Sequence, residues 1–294
     1  MARCHFLCTK CQKGCISNKN KSFLNTKEAA QCKFILVKFH VFLLIAKTIK
    51  PFLEFYQSDA PLLPFFSDDI LKLSKHLVEY FNVYKPVYNF SSAIKLCKFD
   101  FTDEGLLNSV DKVSMGFIAD NIVKQLVKKE DTYLKGAFKV KSESRSFVTK
   151  LLCHLMRKCQ INYALVRNSS CFDPRKMVSQ PENCVKSLKQ LLMHLSQKKI
   201  VLDTDCDGII FQYKNFLQII VNMYPSAFQT FKPNTQLDIF FNEYMSKCVK
   251  DYNKIWPVMK IIFALSRGQA SIERGFSTNK KIEVENMAQE SYVT

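Results

Sequence analysis

Chain breakers are scarce in this sequence, with seven glycines and nine prolines in 294 residues. A β-sandwich needs a turn about every 8–12 residues, each with its own turn chemistry. A chain that can rarely turn is confined to long elements. Its apolar residues recur at i, i+3 and i+4, the period of a helix rather than the alternation of a strand. Hydrophobic residues make up 47%, with 25 phenylalanines, enough for a sizeable core. The expectation is an all-α, irregular multi-helix fold.

Taken in order, residues 27–56 are continuously apolar and predict a helix that Pro51 ends or kinks, with Ile45, Ile49, Phe52 and Leu53 buried. Ser67 is a good N-cap for the next helix, with Asp68 and Asp69 favourable to its dipole, and Ile70, Leu71, Leu77, Val78 and Phe81 carry it to about Tyr84. Helices are expected again over 103–129, through Ile118, Ile122, Val123, Leu126 and Val127. Another is expected over 144–167, through Phe147, Leu151, Leu155 and Ile161. His154 sits beside that second stripe as an ordinary helix histidine. Asp173-Pro174 and Pro181 mark 168–181 as a loop, and helices follow over 182–199, 211–224, 235–251 and 255–265. Pro257 falls in the first turn of the last of these, where proline is tolerated.

The formal charge is +17. A balance this basic favours a polyanionic partner, most simply nucleic acid, because each phosphate neutralised releases counterions. The cations are spread along the whole chain. The longest apolar run, 34–46, is broken by Lys38 and His40 and is shorter than the ~20 residues that span a bilayer, so no membrane role is expected. The first residues lack the apolar stretch of a signal peptide. The 12 cysteines therefore read as reduced thiols of the cytosol or nucleus.

Two spacings hint at metals. Cys4, Cys8, Cys11 and Cys15, with His5 beside them, crowd into one short peptide, whereas structural zinc modules separate two ligand pairs by a longer span; a basic tail over 1–26 is the expectation. Asp203, Asp205, Asp207 and Gly208 match the first half of an EF-hand loop, with Ile210 at its apolar position. Lys214 stands where the bidentate glutamate is required, so these aspartates are weak candidates and an acidic interhelical loop is expected. No cofactor is expected.

Near the end, Ser266 and Gln269 form a capping box, and the helix they start places Ile272 and Phe276 on one face with Glu273 about 100° away. Spacing alone makes this an amphipathic helix with a surface glutamate. Ser271-Ile272-Glu273-Arg274-Gly275-Phe276-Ser277 nevertheless resembles the S-x-E-R-x-F-S signature of hAT-superfamily DNA transposases. The wider run 265–287 is similar to one branch of that superfamily, except that Arg267 stands where the branch has histidine. A second block from Lys50 to Phe65 resembles the same branch, in the right order.

The resemblance implies that Glu273 is the third carboxylate of a DDE metal site on an RNase H-like core. It also implies that 27–265 is the helical insertion domain and 266–294 the C-terminal motif helix and tail. The first two aspartates of such a site sit on strands that precede the insertion, and Asp59, between helical stretches and followed by prolines, is no substitute. The chain is thus expected to be truncated relative to such a transposase, to keep only a vestigial Glu273, and to be no enzyme. Mg or Mn would be needed only if a partner completed the site. The expected role is DNA binding through a basic surface, with Arg267, Arg274, Lys280 and Lys281 on phosphates, in the nucleus or otherwise the cytoplasm. The alternatives are a dimerisation module acting through Ile272 and Phe276, as a homodimer or with an hAT-like partner, and a non-functional fragment of a decayed transposon.

Overall fold

A computed structural model of the chain describes residues 21–58, 60–85, 90–233, 235–246 and 251–265. The chain is all-α: thirteen α-helices and a few short 3-10 turns occupy these residues, and the β pairing among them is one isolated bridge between Tyr84 and Leu107.

The first helix, α1 (Lys21–Gln31), starts inside the stretch expected as tail, and a break at Cys32 separates it from α2 (Ile35–Tyr56). Pro51 does not end α2, which continues another five residues to Tyr56. The buried stripe is Val37, Val41 and Ile45, so Leu53, expected inside, lies outside.

Helix α3 (Leu63–Phe81) begins earlier than Ser67 because Pro64 occupies its first turn, where a fixed φ and a missing N–H cost nothing. Ser67 is buried within the helix, and Asp68 and Asp69 are freed for cross-element pairing. Asn82 ends the helix in the left-handed conformation, φ 48°.

The expected helix over 103–129 is halved. Asp103 caps a 3-10 turn, and α5 (Phe117–Lys129) starts only after Gly116, at φ 88°. Helix α4 (Ala93–Cys97) precedes them, capped by Ser92. Asn108 ties this irregular stretch down by donating to Asn82 and Tyr84 carbonyls at 3.0 and 2.9 Å.

The longest helix, α6 (Tyr133–Lys158), starts eleven residues before the expected position and buries Ala137, Val140, Ser144, Val148 and Leu152. Phe147 is outside that stripe. The expected loop 168–181 is instead a buried ladder of short helices, α7 (Ala164–Asn168), a 3-10 turn, and α8 (Pro174–Ser179). Asp173 and Pro174 act there as N-cap and first-turn proline rather than as a turn, with Asp173 accepting from the Arg175 N–H at 3.0 Å.

Helix α9 (Pro181–Gln197) follows, then α10 (Asp203–Phe216), which runs into a π-helical turn, Leu217–Val221. Short α11 (Pro225–Gln229), α12 (Leu237–Met245) and α13 (Ile255–Leu265) complete the described chain, α13 with the bounds its sequence implies.

These helices pack around two hydrophobic cores. One is built by α2 to α6; the other by α7 to α13. Helix α3 belongs to both: Phe65 in its first turn enters the second core, while Ile70, Leu77 and Phe81 enter the first. No described helix is long and apolar enough to cross a membrane.

Candidate nucleic-acid interface

Helix α6 carries seven cations, Lys135, Lys139, Lys141, Arg145, Lys150, Arg157 and Lys158, against one carboxylate, Glu143. At about 100° per residue, Lys135, Lys139, Lys150 and Arg157 project on the side opposite Val140, Ser144 and Val148, and all four are exposed. Ser142 and Ser146 fall on the same side, between Lys139 and Lys150. From Lys135 to Arg157 the stripe runs ~33 Å at 1.5 Å per residue, close to the ~34 Å of one turn of duplex DNA.

Three of the remaining charges of the helix are committed elsewhere. Lys141 Nζ donates to the Asp111 carbonyl at 2.8 Å, and Arg145 Nη1 donates to the Asn108 carbonyl at 2.8 Å. Glu143 is held by Lys38 at 2.8 Å. Among the described residues no carboxylate lies within ion-pairing distance of Lys135, Lys139, Lys150 or Lys158. Arg157 Nη2 lies 2.9 Å from His154 Nδ1, on the flank of the stripe. A row of exposed cations without carboxylate partners among the described residues is the kind of surface that suits a polyanion.

The other dense charge cluster is structural. At the seam of the two cores, Tyr56 donates to Asp69 at 2.9 Å, Lys176 pairs with Asp68 at 2.6 Å, and Arg175 grips Asp173 through two nitrogens at 3.0 and 2.8 Å. Burial, and then the charge of Asp69, push the Tyr56 hydroxyl far above its ordinary pKa, so it only donates. The Arg175 guanidinium also lies 5.2 Å over the Phe65 ring. These bonds fasten α2, α3 and α8 together. Periodicity could not show them, because Asp68 and Asp69 read as helix-start residues.

The expected acidic interhelical loop is overturned. Residues 203–214 lie in helix α10 rather than in a ligand loop, and successive aspartates two apart on a helix point ~200° apart and cannot converge. Asp203 accepts from Ser196 Oγ, and Asp205 pairs with Lys254 at 2.8 Å, tying α10 to the start of α13. Asp203 and Asp205 sit in the first turn, where the helix dipole favours them. Gly208 serves packing: a Cβ there would meet Lys254 Cδ at 3.0 Å. Among the described residues no three His, Cys, Asp or Glu side chains gather as a metal site. The seven described cysteines are free thiols.

Glu273, Arg267, Arg274, Lys280, Lys281, Ile272 and Phe276 lie outside the described residues, as do Cys4, His5, Cys8, Cys11, Cys15 and Asp59. The α6 stripe was hidden in the sequence by Gly136, which breaks the helical signal and delays the apparent start of the helix past Lys135, Lys139 and Lys141. In the fold that glycine is a contact point, since the Phe34 ring lies where its Cβ would be. Compared with known proteins, the chain matches no family model, no curated protein and no solved structure.

Proposed function

We propose that the chain is a transposase-derived, catalytically incomplete protein that binds DNA through the cationic face of α6. The observation that carries this reading is the row Lys135, Lys139, Lys150 and Arg157, exposed, without carboxylate partners among the described residues, and about as long as one duplex turn. Leu265, the last described residue, and Lys158, at the end of α6, line the same groove. Arg267, Arg274, Lys280 and Lys281 lie outside the described residues and are further phosphate contacts on this reading.

Contacts of this kind are with phosphates, so sequence preference is weak and affinity falls steeply with salt. Changing the four α6 cations to alanine lowers the slope of log K against log salt by roughly 3.6 on a duplex, as each lost phosphate contact removes ~0.9. An unchanged slope, read by fluorescence anisotropy, sinks the proposal. Glu273 is on this reading a vestigial carboxylate, and the chain alone cleaves no strand. Mg or Mn would matter only with the other two carboxylates supplied. Nuclear localisation belongs to the same reading.

One observation favours a second reading, an interaction module. Leu36, Phe39, Phe42 and Leu43 on α2 are about half exposed, Phe39 by 56% and Phe42 by 57%. Isolated exposed apolar residues are ordinary, whereas a contiguous set marks a contact surface. A homodimer by light scattering that Phe42→Asp converts to monomer would support it, and a wild-type monomer at high concentration would count against it.

A further inference from the structure

Between the two cores lies an open groove of about 430 Å³. Its walls come from the C-terminal part of α2 (Leu53), the start of α3 (Phe66) and the end of α6 (Leu155, Lys158, Cys159), and Leu265 closes one side. Most of the lining is apolar. Leu265 is 55% exposed and Leu53 is 48% exposed, so the groove is only partly filled by the described residues.

Leu265 is also the residue from which the final 29 residues of the chain depart. Their sequence carries apolar pairs at helical spacing, Ile272 and Phe276 nearest to Leu265 and Val284 and Met287 farther on; in a helix the nearer pair meets on one face. Ile272 is seven residues beyond Leu265, ~10 Å away as helix and at most ~25 Å if extended, so the pair reaches the groove without strain. Charge matches as well. Lys158 stands at the groove exposed and without a carboxylate partner among the described residues, and Glu273 adjoins the apolar pair.

We infer that the groove is the docking site of the chain's own C-terminal segment, with Ile272 and Phe276 on its apolar floor and Glu273 facing Lys158. The inference rests on the groove and on where Leu265 leaves the chain, independently of whether α6 binds DNA.

Trypsin tests this on the full chain, since it cuts after Arg274, Lys280 and Lys281. Cleavage of a docked segment follows the small population that opens. Expected is cleavage after Arg274 about tenfold or more slower in wild type than in Phe276→Asp or in Leu53→Asp, where an exposed groove residue is charged without disturbing a core. Melting of the described helices stays unchanged, the Cys159 thiol is alkylated faster in both variants, and protection survives tenfold dilution. Wild type cut as fast as both variants overturns the inference. So does protection that ignores Leu53→Asp, which places the segment elsewhere, or protection lost on dilution, which means a second copy supplies it.

Discussion

The two cores of this chain differ in how completely they are closed. The C-terminal core is aromatic and sealed. Phe216, Phe228 and Phe241 are fully buried, and Phe216 meets Phe228, Phe241 and Tyr252 with centroids 5.4–6.1 Å apart. The N-terminal core is mainly aliphatic along α2, α3 and α6, and α2, α5 and α6 leave Phe39, Phe42, Phe117, Phe138 and Phe147 in solvent; in the C-terminal half Phe211 is the one exposed phenylalanine among the described residues. The unpaired cations of α6 are on the open half too. One half supplies stability, and the other presents surface.

The strongest way to break that comparison is truncation on each side. Phe216→Ala should cost about 3–5 kcal/mol, the range for emptying a buried aromatic site. Phe39→Ala should stay within ~0.5 kcal/mol, as for a surface position. Denaturant unfolding of both variants measures the contrast, and similar losses would erase it.

Next in size is the seam. Asp173 is buried, caps α8 and holds Arg175. Asp173→Ala should cost roughly 2 kcal/mol, combining a lost cap with lost charge-assisted bonds. Chemical denaturation reads it directly, and a loss below half that would mean the seam is held by packing alone.

Two glycines sharpen the comparison further. Gly136 lies under the Phe34 ring, so Gly136→Ala must displace a core ring at ~1–3 kcal/mol, more than the ~1 kcal/mol gained in helix propensity. Gly208 meets only the flexible stem of Lys254, so Gly208→Ala should fall within ~0.5 kcal/mol of wild type. Thermal melts of the two variants should therefore move differently, the first downwards.

A pH-dependent effect should be shared by both halves. Burial pushes Cys159 and Cys184 up from 9.0 to about 11. Folding thus disfavours each thiolate, and this contribution is whole below pH 9 and is lost as pH rises through about 11. Melting temperature should decline over that window, and less so in a Cys159→Ala, Cys184→Ala variant.

Helical class was legible because few glycines and prolines interrupt the 3.6-residue period, and α13 and α9 fall nearly where their patterns put them. Boundaries failed where a neighbour overrode a local signal. Pro64 outranked Ser67 as a start, Asp173-Pro174 opened a helix instead of a loop, and Gly136 concealed the first turns of α6. The aspartates of α10 imitated a calcium loop because a one-dimensional spacing ignores the helix that separates them. The α6 stripe needed the true helix start before its phase could be drawn. The Tyr56–Asp69 and Lys176–Asp68 bonds join positions that no periodic pattern relates.

The most direct test of DNA binding by α6 compares equal charge losses on the two halves. One variant changes Lys135, Lys139, Lys150 and Arg157 to alanine; the other changes the exposed Lys186, Lys189, Lys198 and Lys214 of α9, its C-terminal edge and α10. Both lose four positive charges, so generic attraction falls equally. The dissociation constant for a 20-base-pair duplex (about two helical turns) at fixed low salt is then measured for each. The expected result is a large loss of affinity in the α6 variant and a small one in the other. Equal losses would mean that the +17 charge acts as a whole and that α6 is no interface.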